Sequence, residues 1–479
     1  MTFNTLTYFL FLPAIYLAYF FAGERARWCV LLGASLVFYA ALRVPYLLAV
    51  LALVALATFW CGVAIGGARE LAAKRRLLWA GIGIDLLTLV GMKYLPFLSA
   101  NLQELARLLS VDAGIPQVHP FVAIGVSYYV FQAISYLIDI YLEIEEPERH
   151  FGYFALYLCF FPKLLQGPIE RAGDLLPQLK QKYQVNRENL RIGALLFLWG
   201  LFKKVVIADR LGSYVDNVYR DVHAYQGLQL ALATYAYGFQ VYLDFSGYTD
   251  MALGSALLFN IRLTQNFNSP YLATSIADFW RRWHISLSRW ILDYIFKPLQ
   301  MQWRSGRNWG TAAALFAAFL VSGIWHGAGW GFVVWGGLHG LYMACSVFYR
   351  PYQKKIYQRL GLDKSRAQHV FQVFITFNLV SFTWIFFRAN SIQDALHVVR
   401  EIFLDTRVDL GNLYRAILPF AGDFTSVSHF LNLVFFFGVY WLVRKKEVAR
   451  LELSYVVIIS LFVILLGRFN STSFMYMGY

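Results

Sequence analysis

The sequence predicts an all-α protein that crosses a membrane many times. Of its 479 residues, 59% are hydrophobic and only 15% are charged, whereas soluble domains carry about 25% charged residues. Apolar runs of about 17–25 residues, the length that a helix needs to span a bilayer, recur along the chain. Such runs, some of them short or interrupted, lie near residues 5–22, 28–43, 46–66, 78–98, 120–142, 190–212, 226–245, 311–325, 330–348, 367–388, 428–443 and 453–468. We expect about eleven to thirteen transmembrane or re-entrant helices.

The basic residues predict the orientation of these segments. The net charge is +14, but the cations form short clusters between apolar runs, which argues against a nucleic-acid-binding face. The positive-inside rule assigns such clusters to the cytoplasm and thereby predicts that both termini are extracytoplasmic. Basic residues follow the first apolar run rather than precede it, so we interpret this run as a retained helix and not a cleavable signal. The clusters are Arg25 and Arg27, Arg69 with Lys74, Arg75 and Arg76, and Arg444, Lys445, Lys446 and Arg450.

We predict a single membrane domain over residues 1–479, with its chemistry in the middle third. Two prolines and a glycine in residues 160–171 break any straight helix there. Residues 240–252 place two carboxylates in an apolar context, which requires burial in protein or a cavity. The predicted parts are N-terminal helices (1–142), a catalytic core (143–345), and C-terminal helices with an extracytoplasmic tail (346–479).

Residues 271–300 read as an amphipathic or re-entrant helix pair. Ser275 or Asp278 is positioned in the sequence to cap its first helix.

Two histidines are the candidate catalytic residues. His326 lies in a hydrophobic stretch beside Gly323, Gly327 and Gly329, and His284 lies in a run of tryptophan and arginine. An ionisable side chain is costly at membrane depth, so such a histidine indicates a functional site. Imidazole takes and returns a proton near neutral pH. The alternative for each is a packed or interfacial histidine without a chemical role.

Charged and polar neighbours of His284 suggest a donor site. Arg281, Arg282 and Arg289 would favour an anionic donor, because a guanidinium binds phosphate or carboxylate through a planar fork. The alternative is an interfacial helix whose arginines meet lipid headgroups. His339, in W-G-G-L-H-G, is a structural candidate.

The sequence lacks the motifs that several other kinds of chemistry require. The four cysteines are isolated, and no histidine spacing suits zinc, so we predict no metal and no bound cofactor. Neither a phosphate-binding glycine loop nor a G-x-S-x-G elbow occurs. A histidine base that activates an external hydroxyl against a thioester fits the residues present.

Four segments together resemble the membrane-bound O-acyltransferase family, in its alginate and peptidoglycan O-acetylation branch. The resemblance implies a ring of tilted helices around a thin centre that a tunnel crosses. It implies a catalytic His326 and a supporting His284. Candidates for shaping the tunnel are Gln166, Asp244, Asn266 and Asn268. The segments are F-F-P-K-L-L-Q-G-P-I (160–169), Y-L-D-F-S-G-Y-T-D-M-A (242–252), F-W-R-R-W-H-I-S-L-S (279–288) and S-G-I-W-H-G (322–327).

The resemblance also implies substrates and partners. An acyl group, most simply acetyl, would come from a cytoplasmic thioester, either acetyl-CoA or an acyl carrier protein. An extracytoplasmic esterase-like acetyltransferase would then modify the polymer, outside a bacterial inner membrane whose lipids surround the chain. D-alanyl transfer to teichoic acid is the alternative within the family. A proton-coupled transporter or flippase, or a scaffold for the esterase, is the alternative outside it.

The C-terminal sequence F-M-Y-M-G-Y, residues 474–479, resembles the aromatic tail of exopolysaccharide-acetylating relatives. We expect Tyr476 to carry the acyl group as a phenolic ester before handing it on, since a phenolate leaves more readily than an alkoxide. The alternative is a disordered or docking tail.

Overall fold

A computed structural model describes residues 1–111, 114–363, 365–405, 438 and 453–469. Regular structure in these ranges is entirely helical. The helices are α1 (Leu6–Phe21), α2 (Arg27–Ala40), α3 (Tyr46–Gly67), α4 (Leu71–Leu89), α5 (Leu95–Leu108), α6 (Val126–Tyr141), α7 (Phe151–Cys159), α8 (Ala172–Lys180), α9 (Arg187–Leu201), α10 (Asp209–Arg220), α11 (Gly227–Leu257), α12 (Ile276–Trp280), α13 (Ile285–Ile291), α14 (Lys297–Gln302), α15 (Arg307–His326), α16 (Trp330–Arg359), α17 (Arg366–Arg388), α18 (Ile392–Leu404) and α19 (Leu453–Leu466).

Five helical segments of the described chain are long and apolar enough to span a bilayer, and α1, α2 and α19 are shorter apolar helices. All of them overlap apolar runs that the sequence predicts, which confirms an all-α, multi-pass membrane protein. The total of eleven to thirteen segments stays a prediction, and the run near 428–443 lies outside the described residues. The five segments are Tyr46–Gly67, Leu71–Leu108, Arg304–His326, Trp330–Arg359 and Arg366–Arg388.

Large apolar side chains are exposed along several of these helices, among them Leu6 and Phe21 on α1 and Ile464 and Leu465 on α19. Continuous apolar surface of this kind is unfavourable in water but matches the hydrocarbon of a bilayer. The exposed faces therefore fit contact with lipid.

The described chain divides into two compact units. The first comprises residues 1–197 and 248–264, and the second comprises residues 198–247 with the described residues from 265 onward. Both candidate histidines belong to the second unit, whereas Gln166 belongs to the first. A single domain with its catalytic core at 143–345 stays a prediction.

Two of the predicted apolar runs contain short π-helical stretches. Val90–Tyr94 separates α4 from α5, and Phe202–Ala208 separates α9 from α10. Single π turns widen a helix locally and occur often at functional sites. The second stretch carries two consecutive buried lysines, Lys203 and Lys204.

The predicted break after α7 is confirmed. Helix α7 ends at Cys159, and no regular helix follows until α8 begins at Ala172. Glycine is required in this segment because a Cβ at Gly167 would lie 2.3 Å from the Cα of Lys163. The prolines and the glycine thus produce the irregular backbone that the sequence indicates.

Residues 270–302 form a series of short helices rather than the predicted pair. They comprise a 3-10 turn (Pro270–Leu272), α12, α13, a π-helical stretch (Leu292–Phe296) and α14. The predicted cap at Ser275 is confirmed, since its side-chain oxygen accepts the Asp278 N–H at 3.2 Å.

Candidate active site

His284 occupies a sharp turn immediately before α13. Its side chain is completely buried, and its backbone adopts the left-handed conformation, with φ 42° and ψ 54°. This conformation costs an ordinary L-residue about 1–2 kcal/mol, so neighbouring contacts must hold it. The sequence alone gave no signal for it, since a left-handed residue is usually glycine or asparagine.

The segment around Asn266 supplies those contacts. The Asn266 carbonyl accepts the Ile285 N–H at 3.0 Å, and its side-chain Oδ1 accepts the Ser286 N–H at 3.0 Å. On the other side of the turn, the Asn268 N–H donates to the Arg282 carbonyl at 2.9 Å. Asn266 is completely buried whereas Asn268 is exposed. Both predicted asparagines therefore lie beside His284, but only Asn266 uses its side chain there.

His326 is the last residue of α15, which packs against α16 with backbone contact. A Cβ on Gly323 would lie 2.4 Å from the Phe332 carbonyl oxygen, and one on Gly336 would lie 2.6 Å from that of Phe319. Only glycine at both positions allows this approach. Gly323, one of the three glycines near His326 in the sequence, thus admits a second helix, and the end of α15 packs closely against the start of α16.

The two candidate imidazoles lie close together. Their ring centres are 6.4 Å apart, although the two residues are 42 positions apart in the sequence. The Trp325 ring lies 5.8 Å from that of His284 and 5.0 Å from that of His326. Both histidines are buried. The pair can therefore act on one small reacting group in surroundings of low polarity, where hydrogen bonds and charges act strongly.

Aromatic side chains surround the pair. The Trp335 ring meets that of His326 edge-on at 4.9 Å, and the Phe387 ring lies 5.4 Å away. On the other side, Phe245 from α11 lies 4.8 Å from His284. These rings fix the imidazoles by packing and exclude water from them.

His339 is held differently, through both ring nitrogens. The Trp280 indole N–H donates to its Nδ1 at 3.2 Å, so Nδ1 is an acceptor and carries no proton. Nε2 therefore carries the proton and donates to Thr383 Oγ1 at 3.0 Å, while that hydroxyl donates to the Val380 carbonyl at 2.7 Å. The chain of bonds fixes a neutral tautomer, which favours the structural role predicted for His339.

The three arginines near His284 differ in their surroundings. Arg282 Nε lies 3.1 Å and Arg281 Nη2 3.5 Å from the same Asp278 oxygen. Burial would raise the pKa of the Asp278 carboxyl, but hydrogen bonds from Arg282 and the Thr274 amide, with the charges of both arginines, lower it. Arg289 is exposed and has no carboxylate within 4 Å among the described residues. Arg289 is therefore the best placed of the three to meet an anionic group.

Asp244 lies in a buried ion cluster. Lys204 Nζ lies 2.6 Å from an Asp244 oxygen and 2.8 Å from an Asp209 oxygen, and Lys203 Nζ donates to Ser246 Oγ at 3.0 Å. The positive-inside rule treats basic residues as topology signals, so the sequence does not predict this role for the two lysines. The one available signal was two lysines inside the apolar run 190–212. Asp244 is thus charge-paired within the protein, one helix position from the Phe245 that packs on His284.

The first unit contains the other predicted tunnel residue, Gln166. Its side chain is completely buried, and neither amide atom has a hydrogen-bond partner among the described residues. Nearby in sequence, buried Lys163 donates to the side-chain oxygen of Gln132, and Glu170 accepts the Thr264 N–H at 2.6 Å. A buried amide such as that of Gln166 is unusual unless a ligand, water or protein group forms hydrogen bonds with it.

Tyr476, the predicted acyl carrier, lies outside the described residues.

A helical, multi-pass membrane protein with two buried imidazoles is suited to proton transfer within a bilayer. Residues 148–356 match the family model of the membrane-bound O-acyltransferases. Among the described residues, no group of three or more His, Cys, Asp or Glu side chains is arranged to hold a metal ion.

Curated relatives confirm the resemblance, and the chain belongs to the membrane-bound O-acyltransferase family. It is 36% identical to the probable alginate O-acetylase of Pseudomonas aeruginosa over 89% of this chain and 79% of that protein. It is 34% identical to the peptidoglycan O-acetyltransferase of Helicobacter pylori over 91% of this chain and 84% of that one. The teichoic acid D-alanyltransferase of Bacillus subtilis is 30% identical over 55% of this chain. The protein is thus an acyltransferase rather than a transporter.

Proposed function

We propose that the protein moves acetyl groups from a cytoplasmic thioester to a cell-surface polysaccharide, alginate-like, or to peptidoglycan. The observation that carries the proposal is the close approach of His284 and His326 in a buried aromatic setting. The relatives that match nearly the whole chain are named for O-acetylation, whereas the D-alanyl relative matches little more than half of it. Acetyl is therefore favoured over D-alanyl.

His326 is the proposed general base. It removes the proton of the acceptor hydroxyl as the oxygen attacks the thioester carbonyl, and the thiolate leaves with the proton returned to it. His284 stabilises the developing charge or positions the donor. The new ester bond forms as the thioester bond breaks, so the reaction needs no redox partner.

Asn266 is a proposed positioning residue. Its two hydrogen bonds to the backbone after His284 hold the imidazole in place. Among the described residues, its side-chain nitrogen has no hydrogen-bond partner. That N–H group can donate to an oxygen of the substrate.

Arg289 is the proposed contact for the phosphate of acetyl-CoA or of an acyl carrier protein's prosthetic group. Gln166 and Asn268 are proposed to line the acyl path, and Asp244 supports it from the Lys204 ion cluster. Tyr476 remains the proposed acyl carrier toward an extracytoplasmic esterase-like acetyltransferase. The proposed location is the bacterial inner membrane, with both termini extracytoplasmic.

The test replaces His326 with alanine in the full chain. The free thiol released from acetyl-CoA or acetyl carrier protein is measured with membranes that contain the variant, and polymer O-acetylation is measured in cells. We expect His326→Ala to lower the rate by about 100-fold or more, the usual contribution of a general base. His369, an exposed histidine on α17, provides the matched control, and His369→Ala should keep the wild-type rate.

Full activity of a folded His326→Ala protein would disprove this assignment. The carrier role of Tyr476 has a separate test, mass spectrometry of the C-terminal peptide after incubation with the donor. Absence of an acylated tyrosine under conditions of turnover would refute that role alone.

A further inference from the structure

The first unit contains a basic cavity whose lining includes none of the residues proposed for acyl transfer. Its volume is about 220 Å³, and it lies where the loop between α1 and α2 meets the end of α8. Pockets for drug-sized ligands have volumes of about 300–1,000 Å³, so the cavity suits a small group rather than a nucleotide. Its lining is Tyr19, Glu24, Arg25, Arg27, Trp28, Leu31, Tyr153, Leu179, Lys180, Gln181 and Lys182.

The cavity has an excess of positive charge. Lys180 pairs with Glu148 at 2.5 Å, and Lys182 lies 3.6 Å from Glu24. Arg25 and Arg27 have no carboxylate within 4 Å among the described residues. Two guanidinium groups therefore remain unbalanced, and a guanidinium prefers a phosphate or carboxylate in planar geometry.

Arg27 is held ready for such a ligand. Its guanidinium carbon lies over the Tyr19 and Tyr183 rings at 5.6 and 5.3 Å. Two of its N–H groups reach the carbonyls of these tyrosines at a long 3.4 Å, out of the five that arginine carries. The remaining donors are available, and the side chain loses little freedom on binding.

The start of α2 adds a second attraction for an anion. The helix begins at Arg27, its cap residue Ala26 offers no side-chain acceptor, and its first turn contains no acidic residue. The first N–H groups of a helix lack helical partners and carry partial positive charge, which favours phosphate. The uncapped helix start and the arginines thus serve the same ligand.

The neighbouring surface indicates the source of the phosphate. Phe20 and Phe21, on the last turn of α1 just before Glu24, are exposed, as expected of side chains that contact acyl chains. Clustered cations beside a membrane helix attract anionic lipids of the cytoplasmic leaflet. We propose that this cavity binds the phosphate group of an anionic phospholipid.

The test uses the full chain in detergent with phosphatidylglycerol, phosphatidylcholine or inorganic phosphate as the probe. Bound lipid is counted by native mass spectrometry, and affinity is obtained from the shift in unfolding temperature with concentration. We expect phosphatidylglycerol to bind better than phosphatidylcholine. Arg25→Gln/Arg27→Gln should weaken its binding about tenfold or more, since hydrogen bonds to charged groups contribute strongly.

Two further variants keep the test decisive. Arg75→Gln/Arg76→Gln removes two exposed cations at the start of α4, outside the cavity, and should weaken phosphatidylglycerol binding much less than Arg25→Gln/Arg27→Gln. Arg25→Glu alters only an exposed side chain, so its loss of binding would support the proposal even if the double variant folds poorly. Equal binding by wild type and Arg25→Glu would overturn the proposal. Stabilisation by inorganic phosphate but not by phosphatidylglycerol would overturn the lipid as the source.

Discussion

Two completely buried histidines of the second unit, His284 and His339, are fixed in opposite ways. His339 is fixed at its ring, where Trp280 and Thr383 bond to the two nitrogens and define one neutral tautomer. His284 is fixed at its backbone, where Asn266 holds a left-handed turn, and at its ring by aromatic packing. At His339 the restraint acts through both ring nitrogens, whereas at His284 much of it acts through the main chain. The bonds to both nitrogens of His339 fit a structural role, and the proposed chemical role is assigned to His284.

The largest expected difference between them concerns activity. His284→Gly should lower acyl transfer by about 100-fold, because glycine accepts the left-handed backbone but removes the imidazole. His339→Gln should keep most of the activity of the folded fraction and instead lower the unfolding temperature, since lost bonds to a buried group cost about 1–3 kcal/mol. Thiol release and thermal unfolding in detergent measure the two effects.

A control distinguishes backbone strain from chemistry at His284. His284→Ala should be less stable than His284→Gly by about 1 kcal/mol, because alanine retains the left-handed penalty, while both lose activity equally. If His284→Gly were active and His339→Gln folded but inactive, the two roles would have to be exchanged.

The next largest effect concerns protein stability and the contact between α15 and α16 that positions His326. Gly336→Ala should destabilise the protein by about 1–3 kcal/mol, the usual penalty for overpacking, because the new Cβ would lie 2.6 Å from a backbone oxygen. Gly337→Ala is the matched control, since its Cβ would have no neighbour within 4 Å among the described residues. Equal unfolding temperatures for the two variants would show that α15 and α16 do not require this contact.

The smallest expected effect concerns the arginines near His284 and the KM for the thioester donor. Arg289→Gln should raise the KM for the thioester donor a few-fold with little change in kcat, as expected for an exposed charge contact of about 1 kcal/mol or less. Arg281→Gln should change KM less, because Arg281 shares Asp278 with Arg282. The opposite order in steady-state kinetics would transfer the donor contact to Arg281.

The sequence predicts the helices better than the contacts between them. Spanning runs such as 46–66 and 367–388 match α3 and α17 closely, because apolar length is a local property. The apolar run 226–245 is shorter than the helix that contains it, because α11 continues to Leu257. Within α11, Asp244 pairs with Lys204, forty positions away. An ion pair between residues so far apart in the chain produces no local pattern in the sequence.

The candidate site shows the same limit. His284 and His326 were recognisable because an ionisable group is costly in an apolar run. The left-handed turn at His284 was not, since it depends on Asn266, which lies before two intervening short helices. Residue type indicated where chemistry is possible, while only the fold identified which neighbour holds each imidazole.

The contact between α15 and α16 has a consequence for biogenesis. Only Gly327, Ala328 and Gly329 connect the two helices, and their backbones touch at Gly323 and Gly336. Such a pair can leave the translocation machinery as one hairpin. His326 would then enter the lipid together with Trp335, so that its imidazole never faces hydrocarbon alone.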